Sequence, residues 1–221
     1  MASNKTHLYV VPNKNRLYVT VYPDDDAPDD KESFSWGFLI GPKHEDTVIN
    51  PGVRYYIDRS PVPATSEHPE GSSGGGGRSF RWRYAEDALP SIKCPARMYA
   101  RILIAKIEDE DRLERLLRET PRPRAPEEGE DNPLAAALRV GYNSQVWASQ
   151  VLARLAGMGR KRKDRIVGTA VLDWHRIEQT ARWYVAEKMA ADRYNEDYLR
   201  ETQHRLPKPT WDMLLDREIA G

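Results

Sequence analysis

Few side chains in this sequence could carry chemistry by type and spacing alone. The five histidines, His7, His44, His68, His175 and His204, show no metal-ligand spacing, so no metal is expected. A lone cysteine, Cys94, excludes an internal disulfide and argues against a thiolate zinc site. The acidic clusters Asp24–Asp26 and Asp29–Asp30 read as solvated turns between two strands rather than as a cation site. Neither a phosphate-binding glycine loop nor a dinucleotide fingerprint nor a G-x-S-x-G elbow is present. The tract Gly74–Gly77 lacks a following Lys-Ser/Thr and reads as linker. One dense cationic run stands out: Arg160-Lys161-Arg162-Lys163-Asp164-Arg165, with Arg154 a turn or so earlier. It is either a solvated helix end, where cations favour the dipole, or a phosphate-backbone contact suited to an RNA stem.

The elements that must position these residues fall into two halves. Strand alternation runs through Arg16–Tyr22, with Leu17, Val19 and Val21 on one face and Tyr18, Thr20 and Tyr22 on the other. Phe34–Gly41 alternates the same way, and Val53–Ile57, Phe80–Tyr84 and Met98–Ile107 are further predicted strands. Helical spacing follows. Glu110–Arg118 carries Leu113, Leu116 and Leu117. Asn143 or Ser144 can cap a helix whose face holds Ala148, Val151, Leu152 and Leu155. Trp174–Tyr194 is the longest predicted helix, and a short one is expected at Trp211–Leu215. Strands followed by helices predict an α+β fold, an antiparallel sheet with packed helices, in a single domain spanning residues 1–221. Residues 66–79 and 119–133, rich in Gly, Ser, Pro and Glu, read as flexible surface loops.

Composition bounds the function. The chain has 221 residues, of which 39% are hydrophobic and 31% charged, and its 34 basic residues balance 34 acidic ones. That neutrality excludes a general nucleic-acid-coating protein while leaving room for a local basic patch. The longest apolar runs are too short to span a bilayer, and Pro12 cuts the apolar stretch Leu8–Val11. The expectation is a cytoplasmic protein with no membrane partner.

Three blocks carry a resemblance: Phe34-Ser35-Trp36-Gly37-Phe38-Leu39-Ile40-Gly41-Pro42-Lys43, Arg54-Tyr55-Tyr56, and Asn143-Ser144-Gln145-Val146-Trp147. In order and spacing they resemble a fungal family of unknown function whose blocks read Tyr-His-Trp-x-Leu-hydrophobic-Gly-Pro-Lys, Arg-Tyr-His and Asn-Cys-x-x-Trp. Similar segments continue through Ala100–Leu117, Ala181–Val185 and Pro209–Asp212, so the resemblance runs from about Leu17 to Leu215. That order of residues is similar to the circularly permuted papain-like fold of lecithin–retinol acyltransferase relatives and NlpC-type peptidases. There a thiol at a helix N-terminus is activated by a strand histidine. Here Ser35, Tyr56 and Ser144 stand where that family has histidine, histidine and cysteine.

Some members of the family resemble arginine-containing cyclodipeptide synthases. The resemblance implies an aminoacyl-tRNA-dependent acyltransferase that forms a diketopiperazine from arginyl-tRNA and a second aminoacyl-tRNA, with no cofactor. An aminoacyl ester is already activated, so positioning alone could suffice. The implied catalytic residues are Ser144, Ser35 and Tyr56. Trp36, Asn143 and Trp147 would line the substrate pocket, and Glu178, Glu187 or Asp58 would take the arginyl guanidinium. Arg160, Lys161, Arg162 and Lys163 would hold the tRNA. Two rival readings stand beside it: a catalytically dead papain-like binding module, and a small-molecule acyltransferase or amide hydrolase that uses no RNA.

Overall fold

The structure, a computed structural model, describes residues 14–24, 33–45, 50–61, 80–95, 97–122, 143–158, 165–195 and 206–220. Eight strands and three helices are defined among them. The strands are β1 (Arg16–Pro23), β2 (Phe34–Gly41), β3 (Gly52–Pro61), β4 (Phe80–Leu89), β5 (Ala100–Ile107), β6 (Val167–Ala170), β7 (Thr210–Asp212) and β8 (Arg217–Ala220). The helices are α1 (Glu110–Glu119), α2 (Ser144–Gly157) and α3 (Trp174–Ala190). The fold is α+β, with one open, mostly antiparallel sheet ordered β4-β3-β2-β1-β5-β7-β8 and β6 paired to β5.

The alternation of β1 explains the layers. Leu17, Val19 and Val21 join Trp36, Phe38, Ile40, Tyr55 and Ile57 in the main core, and the buried faces of all three helices complete it. Tyr18 and Tyr22 point to the opposite face and pack with Leu39, Ile92, Met98 and Leu103. Both faces of β1 are therefore covered, and its first seven residues are buried. Each helix is started by a polar cap. The side chains of Asp109, Asn143 and Asp173 accept the N–H of Arg112, Val146 and Arg176. Such caps each contribute about 1 kcal/mol. The two largest core residues, Trp36 and Trp147, are fully buried. Each removes enough apolar area to stabilise the fold by about 4–6 kcal/mol.

Two features fix the second layer. A Cβ at Gly41 or Gly52 would sit 2.2 or 2.3 Å from Ile92, so the two glycines together form the notch that seats this side chain. Arg101 is buried at 1% exposure and bonded through each of its three nitrogens: Nε to Thr210 Oγ1 at 2.7 Å, Nη1 to the Ile92 carbonyl at 3.0 Å, Nη2 to Glu45 Oε2 at 2.6 Å. It ties β7 and the segment around Ile92 to β5.

The structure corrects several expectations. No helix forms at Trp211–Leu215. Trp211 instead pairs in parallel with Ile102 of β5, and Asp212 Oδ1 accepts the N–H groups of Leu214 and Leu215. Asp216 takes a left-handed φ of 52°, and the chain reverses into β8. The short β6 was not foreseen, because four residues are too few to show a period. Strands β3 and β4 run past the expected Ile57 and Tyr84, since their polar ends are held by cross-strand pairing such as Asp58 opposite Arg83. Helix α3 stops at Ala190, and α1 extends to Glu119, so residue 119 belongs to a helix rather than a loop. Residues 66–79, 123–133 and 25–30 lie outside the described residues. No helix among the described residues is long and apolar enough to cross a membrane.

Candidate functional site

Ser144 opens α2, immediately after the Asn143 cap, and is 6% exposed. Its Oγ accepts the backbone N–H of Trp36 at 2.9 Å. The reason lies in the sheet. The β2–β3 ladder ends at Gly37 opposite Tyr56, while β3 continues with β4 alone. Trp36 is the next residue of β2 beyond that ladder, and the hydroxyl of Ser144 meets its amide where a β3 carbonyl does not. A buried amide left without an acceptor is costly, so this bond is structural chemistry in its own right.

Around Ser144 the charged and amide side chains of Gln145, Glu178 and Arg182 bond one another, while the indole N–H groups of Trp36 and Trp147 are buried without a partner. Gln145 Nε2 donates to Glu178 Oε1 at 2.9 Å, and Arg182 Nε donates to the same oxygen at 2.8 Å. The Arg182 guanidinium also lies over the rings of Phe34 (5.4 Å) and Trp36 (5.7 Å). Glu178, expected to bind an arginyl substrate, thus holds an arginine of its own chain. Glu187 is exposed on a later turn of α3. The ring of Trp36 packs edge-on to Trp174, and that of Trp147 to Phe38. Both are core residues. His175 shares a contact with Gln179 on the exposed side of α3, and no imidazole among the described residues bonds Ser144.

Ser35 and Tyr56 are elsewhere. Ser35 lies opposite Tyr22, and Tyr56 opposite Gly37, on the face turned away from the helices. The expected convergence of Ser35, Tyr56 and Ser144 on one cleft is therefore not what the fold builds: Trp36, not Ser35, faces α2. On that second face the guanidinium of Arg54 is clamped between the rings of Tyr22 (3.7 Å) and Tyr56 (4.0 Å). Gly37 makes the close packing possible, because a Cβ there would lie 2.8 Å from the Tyr55 carbonyl oxygen and 3.2 Å from Thr20 Oγ1. Arg54 Nε is buried with no hydrogen-bond partner, and so is Thr20 Oγ1. Burial pushes the Tyr22 phenol up to about 12, with Arg54 pulling the other way. Burial, then the bond to Asp87, raises Tyr56. Both phenols are neutral near pH 7, and neither can serve there as a base. Asp58 sits 3.6 Å from Arg83 in an exposed pair. Arg160, Lys161, Arg162 and Lys163 lie outside the described residues.

The chain matches a family of unknown function, DUF6914, over residues 14–220. It belongs to that family. No curated protein matches it, and no solved structure does.

The DUF6914 match spans all eight strands and three helices, so both faces of the sheet are part of the family's fold. The two clusters differ in kind. On the α2 side of this DUF6914 chain Glu178 and Arg182 bond each other while the indole N–H groups of Trp36 and Trp147 are buried without a partner; the Arg54 side holds a guanidinium between two aromatic faces. Sequence reasoning missed Arg54 and Tyr22 as partners. The signal was present: alternation puts Tyr22 and Ser35 on one face, and the Arg54-Tyr55-Tyr56 block puts Arg54 and Tyr56 on that same face. Among the described residues no group of three His, Cys, Asp or Glu side chains could hold a metal ion.

Proposed function

We propose that this protein is a non-catalytic binding module, whose working surface is the polar sheet face around Arg54 rather than the helix terminus at Ser144. The observation that carries this reading is the bond from the Trp36 N–H to Ser144 Oγ. A hydroxyl that anchors a buried strand amide, with no imidazole or thiolate among the described residues bonded to it, is a joint of the fold. A serine nucleophile needs an adjacent base, and the hydroxyl is not ionised near neutral pH. The papain-like reading draws support from the packing of the α2 N-terminus on β2. Its proton-transfer chemistry would need Ser35 or Tyr56 on the helix side of the sheet. The aminoacyl-tRNA reading rests on the resemblance and on the cationic run Arg160–Lys163.

The Arg54 face suits a small carboxylate. The guanidinium is fixed by two rings, so little side-chain entropy is lost when it pairs with an oxyanion. Asp87, directly across the ladder from Arg54, disfavours a multiply charged anion, which argues for a monoanion over a phosphate ester. Tyrosine rings on both sides favour a ligand with a planar body. Benzoate is a suitable probe, followed by thermal shift and by chemical-shift mapping. The expected result is saturable stabilisation of the wild type that is absent in Arg54→Gln, each protein being compared with its own unliganded melting temperature. Benzoate stabilisation of equal size in both proteins, or none in either, contradicts this assignment.

A further inference from the structure

The sheet ends on one side in β4, a ten-residue strand whose only strand partner among the described residues is β3. Natural edge strands are protected by being short, bulged, interrupted by proline, covered or charged. β4 carries charges but is neither short, bulged nor interrupted by proline. Its register with β3 is continuous from Phe80 to Leu89, and its sequence FRWRYAEDAL contains no proline. Its charges are split: Arg81 and Arg83 in the first half, Glu86 and Asp87 in the second.

We propose that β4 is a self-association edge, which pairs antiparallel with β4 of a second copy about a two-fold axis through Tyr84. A two-fold perpendicular to a continuous sheet keeps each residue on its own face, so one residue must pair with its own copy. Centring on Tyr84 places Arg81 opposite the partner's Asp87, twice by symmetry. It sets Arg83 diagonal to the same carboxylate, within reach of a long side chain. These three residues share the face that carries Arg54 and Asp58. On the helix-facing side Tyr84 meets its own copy, and Trp82 lies opposite Glu86. The strand is complementary to itself in the antiparallel sense, and in the parallel sense like charges would meet. The product is a sixteen-stranded sheet made from two copies of the 8-stranded one. A single ladder of this length is at the small end of specific interfaces, so the dimer is expected to be weak and concentration-dependent. This inference is independent of the Arg54 reading.

Sedimentation velocity over a concentration series tests it. The wild type is expected to rise from the 25.4 kDa monomer toward twice that mass. The double reversal Arg81→Glu/Arg83→Glu makes the charges of the strand all acidic, and Asp87→Arg makes its second face all basic. Each variant alone is expected to stay monomeric, and an equimolar mixture to recover the heterodimer. Circular dichroism checks that each variant is folded. Hydrogen exchange on the wild type gives a second readout, with amides of residues 81–87 gaining protection as concentration rises. A wild type that is monomeric throughout overturns the proposal. So does a dimer that both reversals leave intact, since another surface would then be responsible.

Discussion

Ser144 Oγ and the backbone N–H of Trp36 lie 2.9 Å apart, and this bond joins the first residue of α2 to β2 where its ladder with β3 stops. Removing the hydroxyl leaves the amide without its acceptor. Ser144→Ala is expected to lower stability by about 1–3 kcal/mol, read from the denaturation midpoint at unchanged m-value. Ser144→Cys, whose sulfur is a weak acceptor of similar shape, is expected to fall between the two. A wild-type midpoint for the alanine variant would show that the amide is satisfied in another way.

Gly37 is held by space. With the Tyr55 carbonyl oxygen 2.8 Å from where a Cβ would be, Gly37→Ala must push β3 away and loosen the Arg54 clamp. The expected cost is about 1–3 kcal/mol, together with weaker benzoate binding. Gly157 has nothing within 4 Å of its added Cβ. Gly157→Ala serves as the control and is expected to leave binding unchanged.

Arg101 and Glu45 should respond asymmetrically. Arg101→Met deletes two buried hydrogen bonds and the partly buried one to Glu45, which loses its cation, at an expected cost of about 3–5 kcal/mol. Glu45→Gln keeps an acceptor oxygen for the guanidinium and is expected to cost less. Urea titrations of the two variants check the order, and equal losses would show that the charge of Glu45 carries the site.

Glu218 supplies a pH dependence. Burial alone would raise its carboxyl, but hydrogen bonds from Lys188 and Tyr184 outweigh it and hold it below the usual range. A group depressed in the folded state contributes stability that is fully present above its unfolded value. That contribution is lost as pH falls through the folded one. Melting temperatures recorded from neutral to acid pH are therefore expected to fall less steeply for Glu218→Gln than for wild type. The partly exposed position keeps the difference small, and a steeper fall in the variant would reverse the assignment.

Much of the framework was legible in the sequence, and the candidate site much less so. Strand β2 matched its alternation from Phe34 to Gly41, and Asn143 capped α2 as its residue type suggests. Those features are local. The placement of Ser35 relative to Ser144 is not local, because it depends on which face of β2 meets α2. Phe34, Trp36, Phe38 and Ile40 are the larger apolar set, and that bulk turns Ser35 away from the helix. Block order in a sequence carries no such information. The Arg54 clamp was missed because its rings come from two strands, β1 and β3, that do not pair with each other. The β7–β8 hairpin was read as a helix because the turn-forming role of Asp212 shows only once Trp211 is paired to β5.

Ser144 as a joint of the fold and Ser144 as a nucleophile predict different covalent chemistry. The most direct measurement is intact-mass spectrometry of the protein after incubation with arginyl-tRNA and, separately, with a small activated acyl ester, followed by peptide mapping of residues 143–158. The expected result is no mass added at Ser144 under either condition, from a protein that remains folded. An acyl group found on the Ser144 hydroxyl, and lost in Ser144→Ala, would contradict the binding-module reading and restore acyl transfer as the chemistry of this site.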